Sequence, residues 1–308
     1  MASKRRRAKH ATRKQSSTRK KTSVARGKKS PRIKILAQGI GVVSSIPFAN
    51  TEFENQFLQG ANVAAVQSSD GDYDRYRMAT AVQAYNDDPN IGLIVSVGGL
   101  GTAMEVLANA TKPWIALLGG APGTFPSSQL TFFQGAVSLE SYAYNKHRLK
   151  HLTDNKHILL QNICLLINPN NSSVSGVERH DWPSQASPPI AVGQYGVNSQ
   201  NALDHAFDNI PANVTAVVIS GDPYFQDNKN RLVGAANAWV AGANKLFVVY
   251  PFSEYKGANP APTPGKRICH GPSLKAGYNR LGQRAASVLG GGGGFPFEKR
   301  PIGNPDET

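Results

Sequence analysis

The sequence predicts an α/β protein of two lobes, each built on a parallel sheet, and three observations carry that prediction. Five apolar, β-branched runs stop abruptly at a small or turn-forming residue: IGLIVSVGG (91–99), WIALLGG (114–120), ICLLINPNN (163–171), AVVISGDP (216–223) and LFVVYPF (246–252). Runs of this kind read as strands covered on both faces, which requires a parallel sheet with helices on each side. Several are followed by helical stretches, and the strand-to-helix alternation occurs in two series, the second opening at Ile163. The length, 308 residues, is also about that at which a single core divides.

The elements follow in order. Residues 1–30 hold 13 Lys and Arg, no acidic residue and one branched aliphatic, Val24, so they cannot bury enough surface to fold alone and are expected to form a disordered basic arm. Residues 32–38 read as the first strand and 39–50 as a small-residue loop. A helix over TEFENQFLQG, with Phe53 and Phe57 on one face, ends at Gly60, and 62–67 reads as the second strand. Met78, Ala81, Val82 and Tyr85 recur at helical spacing before the third strand. Further helices are expected over 102–110, the ESYAYNKHRLKHL segment, 198–209, 228–241 and 273–289. The stretch SSVSGVERHDWPSQASPP is too rich in Pro and Ser to read as a helix, and the Gly- and Pro-rich tail after Leu289 reads as a mobile surface strap.

Charge and cysteine content narrow the function classes. The formal net charge is +14, but outside the first 30 residues 21 basic residues face 20 acidic ones, so attraction to polyanions belongs to the arm and not to the body. Two cysteines, Cys164 and Cys269, form no disulfide framework, and His270 beside Cys269 is too little for a metal site. No stretch of about 18 apolar residues suggests a membrane span. The basic region leads straight into an apolar segment better used as a strand than as a secretory signal. The chain as written is therefore expected in the cytoplasm, and in the periplasm if its true start differs.

Ligands of parallel α/β sheets bind at the carboxyl ends of the strands, so the five stops are the candidate site. SVGGLGTAMEVL places Gly98, Gly99 and Gly101 before a helix, where free amides can meet an anion. The same glycines also suit an ordinary strand-to-helix turn. INPNN and SGDPYF bring Asn168, Asn170, Asp222 and Tyr224 to strand ends. There an Asp can receive an ammonium group, although Asn-Pro and Asp-Pro also open simple turns. The dinucleotide fingerprint fails at its last glycine, occupied by Ser44 in one copy and Met104 in the other. No nucleophile elbow, zinc-protease helix or phosphate loop is present, so no catalysis and no cofactor are expected.

Several stretches in the right order resemble the small-organic-solute and aromatic-amino-acid group of ABC transporter substrate-binding proteins, of the type I periplasmic-binding-protein-like class. They are DGDYDRYRMATAVQAYNDDPNIGLIVSVGGLGTAMEVLANATKPWIALLGGAP, ICLLINPNN, DPYFQDNKNRLVGAAN with LFVVYPFSEY, and HGPSLKAGYNRLGQRAASVLGG. The resemblance spans about residues 32–300 and implies two Rossmann-like lobes joined by a hinge, with a small amino-acid-like solute held between them and an ABC permease as partner. It implies a basic arm over 1–31, a first lobe over 32–140 plus about 268–300, a second over 141–267 and a tail over 301–308. Position by position it implies Gly99 and Thr102 at a ligand carboxylate, Gly120 in the cleft wall, and Asn168, Asp222 and Tyr255 facing it from the other lobe or the hinge. The chain departs from the group in its basic arm, in the SSVSGV segment, and in stopping near Thr308 where relatives run into another strand and helix, which would loosen the hinge. The alternatives are a nucleic-acid-associated protein binding through residues 1–30 and a nucleotide-dependent α/β enzyme.

Overall fold

A computed structural model describes residues 39–71, 74–119, 130–139, 143–192, 200–295, 297–299 and 305. The expected first strand over 32–38 and the basic arm lie outside these residues. The elements are β1 Gly39–Ser44, α1 Glu52–Ala61, β2 Gln67–Asp70, α2 Arg75–Asp87, β3 Ile91–Val97, α3 Leu100–Asn109, β4 Trp114–Leu118 and β5 Phe133–Ser138. They continue with α4 Tyr144–Lys150, β6 Ile163–Ile167, α5 Ser172–His180, β7 Ile190–Ala191, α6 Gln200–Asp204, β8 Ala216–Ile219, α7 Pro223–Asp227 and α8 Lys229–Val240. The series closes with β9 Phe247–Tyr250, β10 Arg267–Cys269, α9 Leu274–Leu289 and β11 Glu298–Lys299.

Two sheets result, one ordered β11-β5-β4-β3-β1-β2 and the other β10-β9-β8-β6-β7. Their strand pairs are parallel, as in the register Val42↔Val95 and in Leu165↔Val218. All five apolar runs contain strands, three of them in the second sheet.

Alternation within each strand supplies both faces. In the first sheet Val42, Leu93, Val95, Ile115 and Leu117 pack with Phe57 of α1 and Tyr278, Leu281 and Ala285 of α9. Val43, Ile94, Ala116 and Leu118 pack with Met78, Val82 and Tyr85 of α2 and Val106 of α3. In the second sheet Leu166, Val217 and Val248 meet Leu232, Val233 and Ala236 of α8. On its other face Leu165, Val218 and Val249 meet Leu149, Leu152 and Trp182. Burying each such aliphatic side chain is worth about 1.5–3 kcal/mol, so both faces of both sheets hold the fold.

Several sequence expectations are corrected. Gly39–Ser44 is a strand and not a loop, because its small residues serve packing: a β-carbon on Gly41 would run into the ring of Tyr85, 2.7 Å away. Asn62 is the left-handed C-cap of α1 (φ 54°), so the second strand begins only at Gln67. Ser172–His180 is helical, since its prolines all fall beyond the helix and Val174 and Ser175 donate their N–H groups to Asn171 O at 3.2 and 2.9 Å. The helix expected over 198–209 is limited to Gln200–Asp204 within the described residues. Part of the tail is sheet: Glu298 and Lys299 pair with Val137 and Ser138, and the Glu298 carboxylate takes Arg280 Nε at 2.5 Å and Arg284 Nη2 at 2.7 Å.

Among the described residues no helix is long and apolar enough to cross a membrane.

Candidate ligand-binding site

The chain leaves the first sheet after β5 and returns between β10 and α9, which packs on β3, β4 and β5. Between the sheets, the carboxyl ends of β3 and β8 approach each other. Gly99 lies against Pro223, so that a β-carbon on Gly99 would stand 3.6 Å from Pro223 Cγ.

The wall from the first lobe is made of main chain. After β3 the backbone passes through Gly98 (φ 90°) and Gly99 (φ 102°), a region that L side chains rarely enter, and then starts α3. Ser45 Oγ donates to Gly98 O at 3.0 Å and leaves no space for a side chain at Gly98. Gly99 is the N-cap and supplies no side-chain acceptor, so the first amides of α3 keep their donors and partial positive charge. Thr102 in that first turn is buried and its hydroxyl has no partner, as is also true of Ser96 within β3.

The wall from the second lobe is made of side chains. Asp222 ends the β8 stop as the N-cap of α7, its Oδ1 accepting from Tyr224 N at 2.8 Å and from Asn168 Nδ2 at 3.3 Å. Asn168, at the end of β6, is fixed in turn by Asn170 N, which donates to its Oδ1 at 3.1 Å. Asp222 Oδ2 is buried without a partner, as are Gln226 Oε1 and the Tyr255 hydroxyl. Burial, helped by the charge of Glu178, pushes the Asp222 carboxyl up to about 6 against the pull of the Tyr224 amide, Asn168 and Asn171, the last of which is near without reaching hydrogen-bond geometry. Tyr255, in the single turn Ser253–Gly257, packs its ring against Tyr250, tilted by 31° with centroids 5.1 Å apart. Burial, then the neighbouring Tyr250 and Asp222, hold its phenol well above the ordinary tyrosine range.

Of the six residues proposed from sequence, Asn168 and Asp222 are joined directly, Tyr255 lies within electrostatic reach of Asp222, and Gly99 faces Pro223 next to it. Thr102 sits one turn into α3, on the same glycine stop. Gly120 lies outside the described residues.

Sequence reasoning missed a buried polar cluster behind this wall. Arg148 of α4 is fully buried and donates from Nε to His270 O at 2.7 Å, from Nη1 to Asn145 Oδ1 at 2.6 Å and from Nη2 to Pro251 O at 3.2 Å. Glu178 of α5 is also buried, and its Oε1 accepts from Gly221 N at 3.2 Å. Burial pulls Arg148 down to about 10 and pushes Glu178 up, while the charge of each favours that of the other. Ser220 and Asn145 lie near enough to Glu178 to favour its charge without reaching hydrogen-bond geometry. One signal pointed to Arg148: with Tyr144 and Leu152 it lies on a single i, i+4 row that is otherwise inward-facing. Among the described residues no group of three or more His, Cys, Asp or Glu is placed to hold a metal.

No protein-family model matches the sequence, and no curated protein matches it. Solved structures do. An ABC domain in complex with L-Trp from Streptococcus pneumonia is similar over 86% of this chain and 91% of its own, at TM-score 0.62 and 13% identity. The trehalose repressor from Escherichia coli is similar over 86% and 98%, at TM-score 0.55 and 16% identity. The branched-chain amino acid transporter substrate binding protein LivJ from Streptococcus pneumoniae, in complex with isoleucine, is similar over 81% and 82%, at TM-score 0.56 and 12% identity. The chain therefore has the two-lobed type I periplasmic-binding-protein-like fold, found here in a transporter substrate binding protein and in a repressor alike.

Proposed function

We propose that the protein holds a small, amino-acid-like organic solute between its lobes without transforming it. One observation carries this reading: an uncapped helix start and a buried carboxylate with a spare oxygen stand on facing strand ends, Gly99 against the Asp222-Pro223 turn. A ligand carboxylate matches the first amides of α3 and the Thr102 hydroxyl, and a ligand ammonium matches Asp222 Oδ2. Asn168 holds Asp222 in place, and Tyr255 offers a hydroxyl and a ring edge. A solute that touches both walls binds the closed arrangement better and so shifts the lobes toward it. Lobe limits of 32–140 with about 268–300, and 141–267, accompany this reading, as does a permease partner.

Thermal melting against a panel of amino acids and aromatic acids tests it. The matching solute at about a hundredfold above its Kd adds about 2.7 kcal/mol of stability. Absence of stabilisation by every member counts against the reading.

A second reading rests on the 13 Lys and Arg within residues 1–30. Such an arm binds nucleic acid through phosphates, without sequence preference and with steep salt dependence. Removing residues 1–30 then abolishes binding to DNA or RNA at low salt; equal binding by the truncated protein rejects the idea.

A further inference from the structure

The two passages between the sheets meet at Arg148. It lies in α4, just after the chain leaves the first sheet, and it donates to the carbonyl of His270, the first residue of the return toward α9. Its third bond goes to Pro251 O, directly after β9. Behind that carbonyl sits Gly271, where a β-carbon would collide with the Pro251 oxygen, so the two backbone segments are packed without intervening side chains. Tyr144, one turn earlier in α4, sets its ring edge-on to His270 at 5.6 Å between centroids. A single guanidinium thus ties both passages together.

Three neutral oxygens satisfy these N–H groups but do not oppose the charge, and a buried cation needs a counter-charge. Glu178 is the carboxylate within electrostatic reach. Its Oε1 is bound to the amide of Gly221, the residue before Asp222, and its Oε2 is buried without a partner. Glu178 and Asp222 repel one another across that one residue, while Arg148 attracts Glu178. Asp222, Glu178, Arg148, Tyr144 and Tyr255 thus lie within electrostatic reach of one another between the cleft and the hinge, with no direct hydrogen bond from Glu178 to Arg148 or to Asp222.

We propose that Arg148 is the positioning residue of the hinge and that Glu178 couples it to Asp222, so that loading the cleft and fixing the angle between the lobes are a single event. The coupling rests on the solute reading only for the identity of what loads Asp222. A positive group on Asp222 removes its repulsion of Glu178, Glu178 then holds Arg148 more firmly, and Arg148 holds the carbonyls of His270 and Pro251. Coupling of this sort requires a differential interaction with two arrangements, and the repulsion supplies it.

The test needs no ligand. Dyes on Asn55→Cys in α1 and Ala238→Cys in α8, both exposed positions, report the angle by single-molecule energy transfer, because the two native cysteines are buried. At about pH 8, with Asp222 ionised, Arg148→Met broadens the distance distribution about twofold, and Arg148→Lys recovers part of the wild-type width. Asp222→Asn mimics loading and narrows the distribution; in a Glu178→Gln background it changes nothing further. Should Arg148→Met fail to fold, Arg148→Lys carries that arm, and a wild-type width for it overturns the positioning role. Equal narrowing by Asp222→Asn with and without Glu178, or none in either, overturns the coupling. Failure of every solute to stabilise the protein would sink the ligand reading and leave these widths to decide the hinge on their own.

Discussion

The two walls of the cleft reach similar polarity by opposite means. On the first lobe it comes from backbone amides and small residues, held by the torsion angles of Gly98 and Gly99. On the second it comes from the carboxylate, amide and phenol of Asp222, Asn168 and Tyr255, each buried. Main-chain dipoles do not titrate, and a side chain cannot be added to them; buried carboxylates tolerate a change of side chain but answer to pH. The first wall should therefore be brittle toward substitution, and the second toward proton concentration.

The strongest break in that comparison is Gly98→Val. It places a β-branched side chain at φ 90° against Ser45 and is expected to cost more than about 3 kcal/mol in chemical denaturation. The same measurement on Asp222→Asn should show little loss at neutral pH, since the amide keeps an oxygen for the Tyr224 amide and no longer buries a charge.

The pH response of Asp222 is the next largest effect. Its folded value of about 6 lies above the unfolded value near 3.8, so its stabilising contribution is complete below about pH 4 and is lost as pH rises through 6. The loss amounts to about 3 kcal/mol by about pH 7. Melting curves should show that slope in the wild type and a shallower one in Asp222→Asn, with Glu178, shifted in the same direction, supplying what remains. Equal slopes would place the titration elsewhere.

Smaller effects separate the hydroxyls. Thr102→Val and Tyr255→Phe each remove a buried hydroxyl that has no partner, so unfolding should shift by no more than about 1 kcal/mol while affinity for a bound solute falls about tenfold. A variant that loses stability instead of affinity would reassign that hydroxyl to the fold. The least effect is expected at the partly exposed interlobe pair of Lys229 Nζ and Glu52 Oε1, 3.7 Å apart: Lys229→Met should change stability by less than about 0.5 kcal/mol and only at low salt.

Much of the architecture was legible because buried parallel strands write themselves as continuous apolar runs, as Ile91–Val97 and Ile163–Ile167 do. Where small residues carried the packing, the pattern misled: Gly39–Ser44 resembles a loop until the ring of Tyr85 is seen above Gly41. Ser172–His180 misled in the other direction, since prolines beyond its end were charged against the helix itself. In the site, Asp222 and Asn168 were legible as strand-end turn residues, and their mutual hydrogen bond follows from the neighbouring places of β6 and β8 in the second sheet. Arg148 and Glu178 were not legible, because a buried ion in a helix looks like solvated surface until the elements around it are placed.

The short strand Glu298–Lys299 has a consequence outside the cleft. Without it, β5 would present a row of unpaired amides and carbonyls as an open template for another chain. Two residues of pairing, locked by Glu298 to Arg280 and Arg284 of α9, cover part of that border and leave charge beside it. The opposite border, β2, reads QSSD and is too short and polar to recruit a partner. The first sheet is thus guarded at both margins against self-association, a protection that loss of the final residues would remove before it unfolded anything.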